Sequence, residues 1–401
     1  MQRDKKIYKL IGTVQHYAWG GFDFIPALLG LEDREKKPCA EYWLGTHPSA
    51  SAKLESDGQL LSWYELVRQE PVKHLGKKVY EKFGELPYLF KVLDVKEMLS
   101  IQVHPSKEEA VKGFEREEAE GVPINASNRN YKDRNHKPEV MVALSDFWLL
   151  HGFKKEDDLK NTLQTIPEFA SLLPVFEKEG YYGLYKTVME LPTEEADKIL
   201  TPLVERKLRT AHQKSEPGHW VAKLYKNGFE AKNIDKGIFS IYFFNIVQLQ
   251  SAQAIFQGAG VPHAYLEGQN VELMANSDNV LRGGLTPKHI DVPELLKHIS
   301  FEGIEPQILY PAVSDTGEIN YPLPVEDFAI AAVQLQKGQE YKCTSASAEI
   351  FLVMEGSVTV NKQIQCERGE AFVILPDTTY AITASAEGTL SYKAFVPLDA
   401  A

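Results

Sequence analysis

Cysteine is scarce in this chain of 401 residues, which contains only Cys39, Cys343 and Cys366. The three lie far apart and form no Cys-x-x-Cys pair, so the sequence offers no thiolate zinc site and fits a reducing compartment. The first residues, MQRDKKIYKLIG, lack the apolar segment of a signal peptide, and no apolar run approaches the length of a membrane span. We therefore expect a cytoplasmic protein that makes no membrane contact.

The chain also lacks any block of lysine or arginine, and its net charge is −12. Surfaces that bind nucleic acid or anionic membranes need a basic field, so neither is an expected partner. An anionic ligand would have to be held by a few local cations in a pocket. The length predicts about two to three domains, and we expect a monomer or a weak homo-oligomer.

The spacing of apolar residues predicts a mainly β chain with a helical insertion. Residues 1–153 and 235–308 contain short apolar runs separated by Gly, Pro and Asn, which is typical of strands and turns. Residues 154–234 repeat apolar residues at helical spacing, and Thr193 follows Pro192 at a predicted helix start. In the last part of the chain, EGSVTV followed by RGEAFVILP resembles half of a cupin, a double-sheet jelly roll.

The sequence therefore predicts two cupin-like jelly-roll domains and one α-helical domain. The first jelly roll is discontinuous and comprises residues 1–153 and 235–308, with the helical domain at residues 154–234 between them. The second jelly roll comprises residues 309–401. It contains no histidine, and because cupins usually bind metal through histidines, we expect it to have no metal site.

Four metal-competent side chains occur in the β regions. Gln102 and His104 are two residues apart on a predicted strand, so they share one face. Glu139 and His263 have to come from other strands. Mixed nitrogen and oxygen ligation with an open position suits a catalytic zinc ion. A neutral glutamine ligand leaves the ion a stronger Lewis acid than a second carboxylate would.

Three cations, Lys137, Arg282 and Lys288, occur close to these residues in sequence and could hold a phosphate or an oxyanion. A divalent metal beside fixed cations indicates chemistry on a small, phosphorylated, hydroxyl-rich substrate. Strand alternation places Lys137 on the face of Glu139 and directs His136 the other way. His136, like His47 in its turn, is either a proton shuttle or a hydrogen-bonding residue. Residues 277–279 are expected to be scaffold at a turn or helix start.

Longer motifs extend over both β regions. They are VQHYAWGG (14–21), EYWLGTHP (41–48), LPYLFKVLD (86–94), LSIQVHP (99–105), NHKPE (135–139) and HAYLEGQNVELMANSDNVLRGGLTPKHID (263–291). On these motifs the chain resembles the type I phosphomannose isomerases, cupin-fold zinc enzymes that interconvert mannose 6-phosphate and fructose 6-phosphate. The helical block lies where that family carries its helical domain.

The resemblance implies one zinc ion per chain, with the ligands Gln102, His104, Glu139 and His263. It implies phosphate contacts by Lys91, Ser100 and Lys137, and a catalytic arginine at Arg282. Tyr265, Glu272 and Lys288 also match pocket residues of the family. Trp19 and Glu41 fall on its shared motifs, and we expect them to bind substrate.

Aldose–ketose isomerisation moves a proton between two adjacent sugar carbons through an enediol. It requires a base, and fixed positive charge near the two oxygens. The Arg282 guanidinium can donate to both oxygens at once. The base stays open among Glu272, His136, Lys137 and Lys288.

Two other functions compete with a zinc-dependent isomerase. One is an Fe-dependent cupin oxygenase, which the glutamine ligand disfavours because such sites prefer histidines with a carboxylate. The other is a non-catalytic sugar-binding bicupin, which would need neither Arg282 nor the paired lysines. The length of the shared motifs favours the isomerase.

Overall fold

The computed structural model describes residues 5–32, 36–314 and 317–398. In these ranges the chain is mainly β, and its strands form three sheets. Most of its helices lie either between residues 154 and 244 or before residue 120. The predicted mainly β chain with a helical insertion is therefore confirmed. Among the described residues, no helix combines the length and apolar character that crossing a bilayer requires.

A sheet of eleven strands carries the motifs singled out in the sequence. Its long central strand, β12, pairs with β6, β8, β9 and β7. The strands of this sheet are β2 (Thr13–Gln15), β3 (Glu41–Leu44), β6 (Tyr88–Val95), β7 (Gln102–Val103), β8 (Glu139–Ala143), β9 (Phe147–Phe153), β10 (Phe244–Leu249), β11 (Ala254–Gln257), β12 (His263–Ala275), β13 (Leu281–Arg282) and β14 (Ile308–Leu309). Residues 140–153, an apolar run that is consistent with one or two buried strands, form two of them, β8 and β9.

A second sheet of nine strands combines both ends of the chain. Its strands are β1 (Ile7–Ile11), β4 (Lys53–Ser56), β5 (Gln59–Ser62), β15 (Ala312–Val313), β16 (Glu318–Asn320), β17 (Ala329–Leu335), β19 (Glu349–Glu355), β22 (Ala371–Ile374) and β24 (Thr389–Phe395). Strand β1 pairs antiparallel with β22, with Ile7 opposite Ile374. The domain boundary at residue 309 stays a proposal. Three strands from the first part of the chain nevertheless lie in the same sheet as six strands from the last part.

A third sheet of four strands completes the last part of the chain, with β18 (Glu340–Ser345), β20 (Ser357–Val360), β21 (Ile364–Glu367) and β23 (Thr378–Ala384). The largest core lies between the two big sheets. Phe90 and Val92 of β6 face this core, together with Leu352 of β19. Because successive residues of a strand point to opposite faces, Lys91 and Leu93 point to the other side of β6, where they line a cavity.

The helices occur in two groups. The first comprises α1 (Phe24–Leu29), α2 (Trp63–Gln69), α3 (Pro71–Leu75), α4 (Lys77–Phe83) and α5 (Lys107–Ala119). The second comprises α6 (Glu156–Thr165), a 3₁₀ helix (Pro167–Leu172), α7 (Leu173–Glu190), α8 (Thr193–Leu208), α9 (Pro217–Leu224), α10 (Gly237–Phe243) and, after the sheet, α11 (Val292–His298). Helix α8 begins at Thr193, as predicted. The buried Leu159 and Leu163 face an apolar core shared with β9.

Candidate metal centre and active site

A small cavity behind β6, β8 and β12 collects most of the predicted residues. In the sheet register Glu272 is opposite Lys91 and Met274 is opposite Glu139. The cavity is lined by Glu41, Lys91, Leu93, Leu99, Gln102, Lys137, Glu139, His263, Ala264, Tyr265 and Glu272. Its volume of about 60 Å³ admits an ion with a few waters. The body of a sugar phosphate would have to lie outside it.

Three of the four predicted metal ligands converge here: Glu139 and His263 line the cavity, and His104 adjoins Glu139. One ligand atom each of His104, Glu139 and His263 lies within 4.8 Å of the others, and all three side chains are buried. The Glu139 carboxylate lies between the imidazoles, with Oε1 3.5 Å from His104 Nε2 and Oε2 3.4 Å from His263 Nε2. Such a set of two imidazoles and one carboxylate is a known catalytic zinc site.

The protonation of both imidazoles fits a metal. Nδ1 of His104 lies 3.0 Å from the Asn279 carbonyl oxygen, and Nδ1 of His263 lies 2.9 Å from the Val261 carbonyl oxygen. A carbonyl oxygen only accepts, so each Nδ1 carries the proton and each Nε2 presents a lone pair to the centre. The buried Nε2 of His104 has no hydrogen-bond partner, and a zinc ion would supply one.

Electrostatics favour the same protonation states. Burial lowers the pKa of His104 to about 4, so this imidazole is neutral near pH 7. Burial opposes ionisation of Glu139, but the Lys137 ammonium, 3.2 Å from Oε1, acts together with His104 and His263 to outweigh it and holds the pKa of this carboxyl well below its ordinary value. Metals bind neutral imidazole and ionised carboxylate, so the site is ready for an ion.

Gln102, the fourth predicted ligand, also lines the cavity. It lies on the two-residue strand β7, opposite His263 of β12 on one side and Arg282 of β13 on the other. This register explains why residues separated by more than a hundred positions meet. The side chain of Gln102 is half-buried, and its role as a ligand stays a prediction.

Residues 277–279 support His104, as the scaffold prediction expected, although no helix begins there. The Asn279 side chain donates from Nδ2 to the backbone carbonyls of Asp133 and Asn135, at 2.9 Å each. The Asp133 carboxylate in turn accepts from the Ser277 hydroxyl at 2.9 Å and from the Asp278 amide at 2.8 Å. These bonds fix the carbonyl of Asn279 that orients His104. Asp133 could not be predicted from the sequence, because its partners Ser277 and Asp278 are more than 140 positions away.

Lys91 is bound by two carboxylates at the opposite wall of the cavity. Its Nζ lies 3.3 Å from Glu41 Oε2 and 3.3 Å from Glu272 Oε2. Burial disfavours the ammonium, but attraction to Glu41 and Glu272 outweighs it and raises the pKa of Lys91. The Tyr265 hydroxyl donates to Glu272 Oε1 at 2.8 Å. Burial raises the pKa of Glu272, and the nearby charge of Glu139 adds to this rise against the attraction of Lys91.

Arg282 and Lys288 lie outside the cavity lining, beyond Gln102. Among the residues that the structure describes, no carboxylate forms an ion pair with either of them. Burial lowers the pKa of Arg282, and partial burial with the charges of Arg282 and Lys132 lowers the pKa of Lys288. The turn between them needs glycine, because Gly284 has φ 128° and a Cβ there would lie 2.5 Å from the Gly237 Cα.

Four residues that the sequence singled out do not line the cavity. His136 points away from the cavity, and its Nε2 lies 2.9 Å from Asp327 Oδ1. Trp19 stacks on Tyr17 with ring centroids 5.9 Å apart. His47 contacts Ser49 and Asp278. Ser100 is half-buried next to Leu99, which lines the cavity.

Sequence reasoning missed a third buried histidine, which lies beside the metal group that contains His104 and His263. His151 lies opposite His263 in the register of β9 and β12, and its Nδ1 is 2.8 Å from Gln257 Oε1. Gln257 lies opposite Glu139. Burial lowers the pKa of His151 to about 4. The signal was present, since His151 is a polar residue within the apolar run FWLLHGF.

Comparison with known proteins gives a consistent result. Residues 7–156 match the family described as phosphomannose isomerase type I, catalytic domain. The chain is 37% identical over 392 residues to the mannose-6-phosphate isomerase of Escherichia coli K12, covering 96% of this chain and 98% of that protein. It is 33% identical to the human mannose-6-phosphate isomerase over 408 residues, covering 92% of this chain and 93% of that protein. A solved structure of a zinc-bound mannose 6-phosphate isomerase superposes with a TM-score of 0.87 at 34% identity, covering 98% of this chain and 100% of the other.

The fold and the buried His–Glu–His group are those of a cupin metalloenzyme with a helical domain, which confirms the predicted fold class. The chain belongs to the type I phosphomannose isomerase family.

Proposed function

We propose that this protein is a zinc-dependent aldose–ketose isomerase that interconverts mannose 6-phosphate and fructose 6-phosphate through an enediol. The observation that carries this proposal is the convergence of His104, Glu139 and His263 on one cavity, in a chain that matches mannose-6-phosphate isomerases over nearly its full length. The cavity also holds a buried carboxylate that can act as a base. An oxygenase or a non-catalytic sugar-binding protein is not favoured by these relatives.

His104, Glu139 and His263 would hold one zinc ion, with Gln102 as the fourth protein ligand. When bound, zinc acts as a Lewis acid that polarises a substrate oxygen. The two backbone carbonyls that accept from Nδ1 of the histidines keep both imidazoles in the ligating tautomer.

Glu272 is the base that we propose for proton transfer between C1 and C2 of the sugar. It lines the same cavity as the metal group, and burial raises the pKa of its carboxyl. A base whose pKa is nearer to neutral accepts a carbon-bound proton more effectively. The Tyr265 hydroxyl and the Lys91 ammonium hold its two oxygens in place. His136 faces Asp327 instead, and Lys137 is already engaged by Glu139.

Arg282 would stabilise the negative charge that develops on the enediol oxygens, since its guanidinium has no carboxylate partner in the described chain. Lys288 and Ser100 would contact the phosphate outside the small cavity, and Lys137 would reach it from the cavity lining while it stays paired with Glu139. A phosphate at Lys91 would have to compete with Glu41 and Glu272, which already neutralise that ammonium. Trp19 would border the substrate at the rim.

Further expectations belong to this proposal. The enzyme would serve mannose metabolism in the cytoplasm, act as a monomer or weak homo-oligomer, and bind no nucleic acid, in keeping with its net charge of −12.

Metal removal tests the proposed function directly. Protein treated with a chelator should lose isomerase activity, because the ligand set is then left without its ion, and one equivalent of Zn²⁺ should restore it. Mg²⁺ prefers oxygen ligands and should restore little. The measurement is a coupled assay in both directions together with metal analysis. Full turnover by metal-free protein, or no turnover by zinc-loaded protein, would contradict the proposal.

The base assignment predicts that Glu272→Gln lowers kcat by roughly 10²–10⁴-fold, the range for losing a general base, while zinc content is kept. Exchange of the substrate C2 hydrogen with solvent, followed by NMR in D₂O, should slow in parallel. The matched control is Glu267→Gln, the same change on the same strand, since Glu267 binds Lys214 and Lys223 instead. An unchanged exchange rate in Glu272→Gln would assign the base to another group, with Lys137 next.

A further inference from the structure

The NHKPE segment is held in place mainly by side chains. Residues 135–138 form no strand, and β8 begins only at Glu139. Lys137 of this segment nevertheless lines the cavity, 3.2 Å from the Glu139 carboxylate. The position of Lys137 therefore depends on what anchors the residues around it, Asn135, His136 and Pro138.

Asn135 is anchored to the loop that follows β12. Its Nδ2 donates to the Asn276 carbonyl at 2.8 Å, and its own carbonyl accepts from Asn279 Nδ2 at 2.9 Å. Asn276 and Asn279 lie in the loop between β12 and β13 of the eleven-stranded sheet that also carries the metal group. At the other end of the segment, the Ala275 amide donates to the Pro138 carbonyl at 3.1 Å. Between these two anchors, the segment is held by the side chain of His136.

His136 is anchored by a residue from the last part of the chain. Its Nε2 lies 2.9 Å from Oδ1 of Asp327, which precedes strand β17 of the nine-stranded sheet. The Asp327 side chain is only 11% exposed, and His136 is its one side-chain partner in the described chain. A buried carboxylate is costly unless it is paired, so this contact constrains both residues. The next residue, Phe328, is completely buried in the core between the sheets, which fixes the loop.

We infer that Asp327 is a positioning residue for the isomerase reaction: it holds His136 and thereby sets the orientation of Lys137 in the cavity. In this extended segment His136 and Lys137 point to opposite sides, so a backbone rotation that releases His136 also turns Lys137. The last part of the chain thus supports the active site without contributing a group that touches the substrate. This inference rests on the proposed function.

The test compares Asp327→Ala with Asp327→Asn and with Glu326→Ala. Asparagine keeps an oxygen that can accept from His136 and should retain most activity. Glu326 is the adjacent, exposed carboxylate and pairs with Lys82 on the surface, so its loss should change little. Asp327→Ala should lower kcat/KM by roughly 10–100-fold, the range for removing a group that orients a site residue, with zinc content unchanged.

Two readouts separate positioning from a general loss of stability. In a Lys137→Ala background, Asp327→Ala should add little further loss of kcat/KM, because both changes disturb the same group. Hydrogen exchange of the amides of residues 135–137 and 139 should rise in Asp327→Ala and stay at the wild-type level in Glu326→Ala. Full additivity, or wild-type kinetics in Asp327→Ala, would overturn the inference. If Asp327→Ala fails to fold, the isosteric Asp327→Asn becomes the test. A loss of kcat/KM of more than about tenfold in Asp327→Asn, with full solubility and unchanged amide exchange, would also overturn the inference.

The exchange measurement is independent of catalysis. Wild-type protein that isomerises no sugar phosphate would refute the proposed function, whereas unchanged exchange in Asp327→Ala would refute the structural coupling alone.

Discussion

Replacing His104 by alanine should remove bound zinc and turnover together. His104 presents its lone pair to the centre from a buried position, 3.5 Å from the Glu139 carboxylate, so its loss leaves two close ligands and an open cavity. Removing a residue that merely supports a metal ligand costs 10–100-fold in affinity or activity, so we expect a loss of at least about 100-fold here. Metal analysis of the purified variant and the coupled isomerase assay measure both effects.

The control for this variant is His74→Ala. His74 is as buried as His104 but lies in α3, outside the cavity lining. It reports the effect of losing a buried imidazole on stability, and it should keep zinc and specific activity. A His104→Ala protein with one zinc per chain and normal turnover would contradict the ligand assignment.

Arg282→Ala should have the second large effect, with kcat lowered by about 10²–10³-fold at full zinc occupancy. That range is typical for removing one fixed group that stabilises an oxyanion. Arg282 has no carboxylate partner among the described residues and is held by pairing of β13 with β7. Its charge is therefore available to the substrate. Arg282→Lys should recover only part of the rate, because an ammonium lacks the planar fork of N–H groups with which a guanidinium donates to two oxygens at once.

Arg68→Ala is the matched control, since Arg68 is exposed and contacts surface neighbours, Glu65 at 3.8 Å and the Tyr64 ring at 5.7 Å from its centroid. It should retain wild-type kcat and KM. If Arg282→Ala changed KM alone, Arg282 would bind ground state and transition state equally well. The proposed stabilisation of the enediol oxygens would then be wrong.

Strand alternation and composition predicted much of the fold. The apolar runs around residues 86–95 and 140–153 form buried strands, and Thr193 begins a helix after Pro192. The closely spaced strands of the last part form two sheets. What spacing could not show is which strands share a sheet, because register depends on partners far apart in the chain. Strands β1, β4 and β5 belong to the residues that the sequence predicts for the first jelly roll, yet they lie in the nine-stranded sheet.

The sequence predicted which side chains could bind a metal, but it did not predict which charged groups of the site pair with one another. Residue types and family motifs brought forward Gln102, His104, Glu139 and His263, which the structure places at one cavity. Neutralisation of Lys91 could not be predicted, because its ion pairs depend on the register of β3, β6 and β12. The contact of His136 with Asp327, 191 positions away, was equally hidden.

The pairing of β1 with β22 has a consequence for biosynthesis. Lys9 and Glu370, which meet at this junction, are 361 positions apart. Strand β1 therefore waits on the ribosome for a partner made 361 positions later, and contacts of such high order fold slowly. During that delay one edge of β1 stays unpaired in the nascent chain, and unpaired edges are templates for aggregation. We therefore expect this single ladder of hydrogen bonds to make folding of the chain sensitive to truncation before β22.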